Sequence, residues 1–464
     1  MVSYTFTLGA VSADPAPAWP EYLRGATTLR ALLDGLAASQ RLSSGQLLSG
    51  QAQALGSLAS WASTQVRPYF AHRALAAELG AAAAADANSF FALWQRWPVL
   101  SKAELRLQGP AMHAATVPAS HQPCELLRTS GSTGIPVEVG TTALTRRIWS
   151  ALTAREHLWQ QRDPGRRLGI IRYRPKSNRN MRGEDLPSWG PPMAELVRTG
   201  PASVIHIGHS VELLAEWLAR FDPHYLLTYP SVATALLDVL PSKSAHMPSL
   251  EEVRLISEPL DPELEARLVA DWGVRVSDMY SANEVGHIAF RCREFAQLHV
   301  QSESVLVEIL DEHGNACAMG VPGRVVVTAL HNLATPLLRY ELGDLASFGR
   351  PCACGRGLPV LERVMGRVRN LVRTPDGRRH WPLGLGLIRA IAAITQAQYV
   401  QLADASIELR VVLAQPLSAA DEEQAVELVR KALGYPFEVL ITPVPAIERG
   451  PGGKFEEFLS LMES

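Results

Sequence analysis

From residue 168 the chain alternates short runs of aliphatic and β-branched residues with longer amphipathic stretches. Residues 168–172, 225–229, 253–256 and 274–278 are the short runs, the last read as a strand ending at Asp278. Residues 211–221, 231–240 and 261–272 are the amphipathic stretches between them. Short apolar runs suit strands, and a period near 3.6 over ten or more residues suits helices. Strands joined through helices lie parallel, with the helices covering the faces of their sheet. The alternation therefore predicts α/β architecture with largely parallel strands.

Around this segment the character changes. Residues 1–110 read as mainly helical, because Ala and Leu dominate 47–62 and 74–85 and β-branched residues are few. Residues 172–192 are rich in Arg, Pro, Asn and Gly and read as a long loop. Alternation without long helices, with turns at Gly314 and at Gly320 to Gly323, predicts a small β subdomain over about 290–365. A short α+β pattern follows Arg369, in 388–394, 407–413, 419–433 and 437–442. At 464 residues the chain exceeds what one core usually serves. A large N-terminal domain, 1–368, and a C-terminal α+β domain, 369–464, are expected. The formal charge of −2 gives no reason to expect nucleic acid or an anionic membrane as partner. Met1 to Ala10 lacks a basic start and a long apolar stretch, so no secretory signal is expected. Five cysteines in such a length do not make a disulfide framework, and cytoplasm is the expected location. Monomer and dimer both remain open.

Several short motifs carry chemistry. Leu127-Arg-Thr129-Ser130-Gly131-Ser132-Thr133-Gly134-Ile-Pro136 crowds hydroxyls and glycines into one turn. Backbone N–H groups and hydroxyls in such a turn suit a polyphosphate; an ordinary surface turn is the alternative on this segment alone. No Gly-Lys-Ser/Thr follows, so it is not a Walker A loop. Asp278-Met-Tyr280-Ser-Ala282-Asn283-Glu284 places a carboxylate in a polar turn, suited to Mg²⁺ beside a phosphate or else simply solvated. Gly343-Asp344 suits a ribose diol or an ordinary turn, and Gly366-Arg367 precedes the last α+β unit. Gly452-Gly453-Lys454 puts a point charge on a pliant loop, or on a solvated tail. Cys292, His299, Cys352 and Cys354 make up an ordinary Cys₃His structural zinc set, with buried thiols as the alternative. Cys124 and Cys317 read as packing residues.

The order of these motifs resembles the adenylate-forming superfamily, and "LLRTSGSTGIPV", "YSANEVGHIAFRC", "LLRYELGDL" and "CACGRGLP" are similar to its phenylacetate–CoA ligase branch. The resemblance covers residue 126 to the C-terminus. It implies an AMP-forming ligase that activates a carboxylic acid with ATP to an acyl-adenylate, then transfers the acyl group. Thr129, Ser130, Gly131, Ser132, Thr133 and Gly134 would wrap the β- and γ-phosphates. Ser257, Glu258 and Pro259 would flank the adenine, and Tyr280 would stack on it. Glu284 would hold Mg²⁺, Asp344 the ribose, with Arg367 nearby. Lys454, Glu284 and Thr133 would be the catalytic residues, Lys454 bridging the carboxylate and the α-phosphate. The small C-terminal domain would be mobile about a hinge near Arg369. Members of that branch can carry zinc at positions like those of the Cys₃His set.

The resemblance implies CoA as acceptor, guided by the glycine-containing stretch Thr374 to Pro382; a carrier-protein thiol or an amine stays open, as does, more remotely, a nucleotide-binding regulator without turnover. The acid is expected between the Tyr280–Glu284 turn and the segments near Tyr229 and Ser257. Tyr229, Ser231, Ala282 and Asn283 are candidate pocket residues, with His206 and His209 close by. An aromatic acid is the expectation the branch carries.

Overall fold

The computed structural model describes residues 3–5, 11–12, 28–128, 137–173, 182–240, 242, 246–367, 372–380, 382, 385–449 and 455–462. They form two compact units, Met1–Leu342 with Ala346–Val364, and Gly343–Leu345 with Met365–Ser464.

The middle of the large sheet is parallel. Strands Ala202–His206, Leu168–Arg172, Tyr225–Thr228, Glu252–Ile256 and Arg275–Ala282 lie side by side in that order, each parallel to the next. Successive residues of a strand face opposite ways, and both faces are covered. Leu226 joins a core with helices Val211–Phe221, Pro230–Val239 and Pro262–Trp272. Tyr225 joins another with helices Leu29–Ser39 and Ala143–Trp159. Burial on both sides explains why these strands read as unbroken apolar runs.

Three expectations need correction. The strand read as ending at Asp278 continues to Ala282, because Met279 to Ala282 pair antiparallel with Gly286–Arg291. The stretch 172–192 is not loop throughout. Glu184–Leu186 pairs antiparallel with the outer parallel strand, and the Trp189 indole is buried, donating to the Arg166 carbonyl at 2.8 Å. The strands read as a small β subdomain share the one twelve-stranded sheet: Val305–Leu310, Gly323–Ala329, Tyr340–Phe348, Val360–Arg367 and Leu298–Val300 run on from the parallel part. In the N-terminal quarter the described residues also include two short strands, Ser3–Thr5 and Val11–Ser12.

The helices of that quarter are specified locally. Ser43 with Gln46 and Ser101 with Glu104 form capping boxes at the starts of Ser44–Gln65 and Lys102–Gln108. Gly56 lets Ser44–Gln65 lie close to helix Arg73–Ala85, since a Cβ there would sit 2.9 Å from the Ala83 Cβ. Arg339 fixes this quarter to the sheet. It is buried, adopts φ +47°, pairs with Glu308 at 3.0 Å and donates to the carbonyls of Gln95 and Trp97 at 2.9 and 2.7 Å.

A second buried charge cluster lies under the parallel strands. Arg162, just beyond helix Ala143–Trp159, binds Glu156 at 2.7 Å and Glu252 at 2.5 Å. Arg254 joins Glu156 at 2.9 Å, and Ser277 donates to Glu252 at 2.6 Å. Burial alone would raise the Glu156 pKa, but Arg162 and Arg254 hold it well below the usual carboxylate range.

In the second unit, strands Val439–Pro443, Ile407–Leu413, Ile394–Gln401 and Phe458–Ser460 form a sheet in that order. Helix Ala419–Leu433 starts at a Ser418–Asp421 capping box and ends at Gly434 in the left-handed region. The stretch expected to guide CoA contains a tight hairpin, with Gly377 at φ +85° between Val372–Arg373 and Arg379–His380. Among the described residues no helix is long and apolar enough to cross a membrane.

Replacing Arg162 with Met would leave Glu156 and Glu252 buried without their guanidinium. A loss of about 3–5 kcal/mol in unfolding free energy is expected, read from the first transition in urea.

Candidate active site and metal centre

Ligands of open α/β sheets gather at the carboxyl ends of the parallel strands. Here the register brings three candidate segments to that edge. Thr228 is opposite Leu255, and Ile256 is opposite Met279. Tyr229 and Ser257 therefore leave the sheet at nearly the level of Tyr280, in the neighbouring strand that runs on to Ala282.

Each segment is held in place. Helix Pro230–Val239 has no side-chain cap of its own. Glu258 supplies one, accepting from the Ser231 N–H at 2.9 Å and the Ser231 hydroxyl at 3.1 Å. Ser257 before it takes φ +71°. The Tyr229 hydroxyl is a buried acceptor for the Tyr173 N–H at 3.2 Å. Tyr280 and Ala282 are half-buried against the largest apolar core, and Asn283 is exposed. Glu284 is buried beside Lys102, whose Nζ lies 3.5 Å from its Oε1. Gly286 closes the turn at φ +81°, and a Cβ there would meet the Trp149 ring, 2.2 Å from Nε1. His287, beyond it, hydrogen-bonds Thr153 at 2.9 Å, and burial pushes its pKa down to about 4. At physiological pH it is neutral.

His206 ends the outer strand, its Nδ1 accepting from the Gly208 N–H at 2.8 Å. The His206 and His209 rings are 6.2 Å apart. Asp344 is half-buried within strand Tyr340–Phe348, after Gly343 at φ +79°, and Arg367 ends strand Val360–Arg367. Thr129, Ser130, Gly131, Ser132, Thr133, Gly134, the Arg369 hinge and Lys454 lie outside the described residues.

The cysteine and histidine candidates converge elsewhere in the same unit. One ligand atom each from Cys292, His299, Cys352 and Cys354 lies within 4.8 Å of the others. Cys292 precedes a tight turn, its N–H donating to the Gln297 carbonyl at 2.6 Å. The Cys292 and Cys352 sulfurs are 3.9 Å apart, and Cys354 Sγ is 3.3 Å from His299 Nε2. Two thiolates on a tetrahedral zinc, each about 2.3 Å from the metal, stand about 3.8 Å apart. His299 is fully buried, and its Nδ1 lies 3.4 Å from the Leu358 carbonyl. Only Nδ1 can donate to that carbonyl, so Nε2 keeps its lone pair toward the sulfurs. Burial pushes the Cys352 thiol up to about 12. At Cys354 burial is outweighed by hydrogen bonds involving Arg356 and Cys352, and its pKa falls. Arg356 lies over the Trp159 ring at 4.3 Å, walling the cluster. Cys124 is buried in the main core and Cys317 is half-buried.

No protein-family model matches the chain. A phenylacetate–coenzyme A ligase of Thermus thermophilus is 23% identical over 366 residues, 72% of this chain and 79% of that protein. A phenylacetate–coenzyme A ligase of Aromatoleum evansii is 28% identical over 244 residues, 51% and 53% of the two. Among solved structures, 2-hydroxyisobutyryl-CoA ligase in complex with 2-HIB-AMP superposes with TM-score 0.67 at 20% identity, over 89% of each chain. At that identity the structural likeness establishes the shared fold.

The chain is similar in sequence to phenylacetate–coenzyme A ligases and shares the fold of 2-hydroxyisobutyryl-CoA ligase.

Sequence reasoning missed two groups at the Tyr280–Glu284 segment. Lys102 lies 182 residues from Glu284, and the only local signal is the Ser101–Glu104 box that starts its helix. Trp149 lies on a helix face whose partner, Gly286, only the fold reveals. Gly286→Ala would force a side chain into the indole at a backbone angle that L residues rarely adopt. A loss of about 1–3 kcal/mol is expected, measured by thermal denaturation, with a shift in Trp149 fluorescence.

Proposed function

We propose that this protein is an AMP-forming acid–CoA ligase that adenylates a carboxylic acid, aromatic by preference, and passes the acyl group to the CoA thiol. The observation that carries the reading is the meeting of the Tyr229–Ser231, Ser257–Glu258 and Tyr280–Glu284 segments at one edge of the sheet. Its relatives' names supply CoA and the aromatic acid.

Thr129, Ser130, Gly131, Ser132, Thr133 and Gly134 cradle the β- and γ-phosphates, Ser257, Glu258 and Pro259 border the adenine, and Tyr280 stacks on it. Asp344 and Arg367 hold the ribose. A carboxylate attacks the α-phosphate poorly, because both are anionic. Lys454 and the hydroxyl loop spread that charge as the new P–O bond forms and pyrophosphate leaves. Glu284 suits Mg²⁺, being a buried carboxylate already facing a cation; the ion would add positive charge beside the phosphates. The acyl-adenylate then reacts with the CoA thiol, which displaces AMP from the acyl carbon. Tyr229, Ser231, Ala282 and Asn283 border the acid. Its identity is read from pyrophosphate release over a panel of carboxylic acids, repeated with CoA, carrier protein and amines. Lys454→Ala is expected to cut carboxylate-dependent pyrophosphate release by about 100-fold or more with ATP binding retained. Near-normal release would remove Lys454 from the mechanism.

The Cys292, His299, Cys352 and Cys354 cluster holds a structural zinc ion in our reading, because its four donors fill a tetrahedral shell and leave no position for substrate. Elemental analysis of protein purified without chelator should find about one zinc per chain. Cys352→Ser should release it and lower the melting temperature.

A further inference from the structure

Lys102 carries a charge that its own helix does not call for. It is the first residue of Lys102–Gln108, whose cap is already completed by Ser101 and Glu104. A cation in the first turn opposes the partial positive charge of the helix start. Its ammonium instead reaches Glu284, at 3.5 Å. Both side chains are largely shielded, 24% exposed for Lys102 and 9% for Glu284.

The placement is imposed by the scaffold. Leu100 donates its N–H to the Arg339 carbonyl and accepts from the Glu341 N–H, each at 2.9 Å. This parallel bridge to Tyr340 lies two residues before Lys102. Arg339 is itself pinned by Glu308, Gln95 and Trp97. The lysine stem therefore starts from a fixed point beside the turn that carries Glu284, and only its four-carbon arm is free to move.

A shielded carboxylate needs a counter-charge at every stage. A metal ion and an ammonium compete for the same oxygen, so a metal arriving on Glu284 displaces the lysine. A phosphate chain carried by that metal is the anion nearest to the displaced group. A lysine, with three donors on a flexible stem, suits the exchange.

We infer that Lys102 is a second cation of the phosphate site: it neutralises Glu284 while that site is empty, and binds a phosphate oxygen of ATP, then of pyrophosphate, once a metal takes the carboxylate. The inference rests on the reading of Glu284 as the residue beside the triphosphate.

Two binding measurements without the acid, hence without turnover, test it. Mn²⁺ binding to nucleotide-free protein is followed by electron paramagnetic resonance, and Mg²⁺–ATP binding by calorimetry. In Lys102→Met the Mn²⁺ affinity should rise about tenfold and the Mg²⁺–ATP affinity fall about tenfold, the size of one charge-assisted hydrogen bond. Lys102→Arg should restore nucleotide binding. Unchanged ATP affinity in Lys102→Met overturns the inference. So does a parallel fall of both affinities and of the melting temperature, which marks a structural latch. Lys102→Gln serves the same comparison if the Met variant does not fold. Wild-type protein that binds no ATP would instead overturn the reading of the whole site.

Discussion

Arg162 is the interaction on which the arrangement of the site depends. Its guanidinium joins Glu156, at the end of a helix on one face of the sheet, to Glu252, the first residue of a central strand. Ser277 of the next strand is drawn into the same cluster. Charges removed from water this completely are tolerated only when each finds a partner of good geometry. The cluster therefore permits few alternative registers between the helix and the two strands. Those strands lead into Ser257 and into Asn283 and Glu284.

From that fixed base the site is assembled by borrowed caps and close approaches. Glu258 completes a helix start that lacks its own cap. Gly286 admits the Trp149 ring where any side chain would collide. Arg339 carries the helical quarter onto the sheet and, through Leu100, sets the stem of Lys102. Each is a long-range contact between segments that look unrelated in the chain. The Cys₃His cluster works in the same way, gathering two turns 60 residues apart into one buried knot.

Four of the five parallel strands were legible because burial on both faces leaves continuous apolar runs between amphipathic helices, whereas Ala202–His206 was not read. The last of them was read too short: Met279 to Ala282 pair with a partner whose polar and small residues hide its strand character. Glu184–Leu186 was hidden similarly, since an edge strand of three residues leaves almost no periodic signal. The Cys292, His299, Cys352 and Cys354 set was legible from donor chemistry alone, whereas Lys102 was not, because a lysine after a capping serine looks like any solvated helix start.

By itself the sequence determined the α/β alternation, the helix starts, the order of the glycine- and hydroxyl-bearing motifs and the identity of the Cys and His residues that converge. These depend on local periodicity, capping and side-chain chemistry, which neighbouring residues are enough to express. The tertiary structure decided that the antiparallel strands share one sheet with the parallel ones, that Glu258 caps the helix starting at Pro230, and that Glu284 faces Lys102. Such pairings join residues that no local period connects, and they come into being only when the sheet register and the buried charges bring distant segments together.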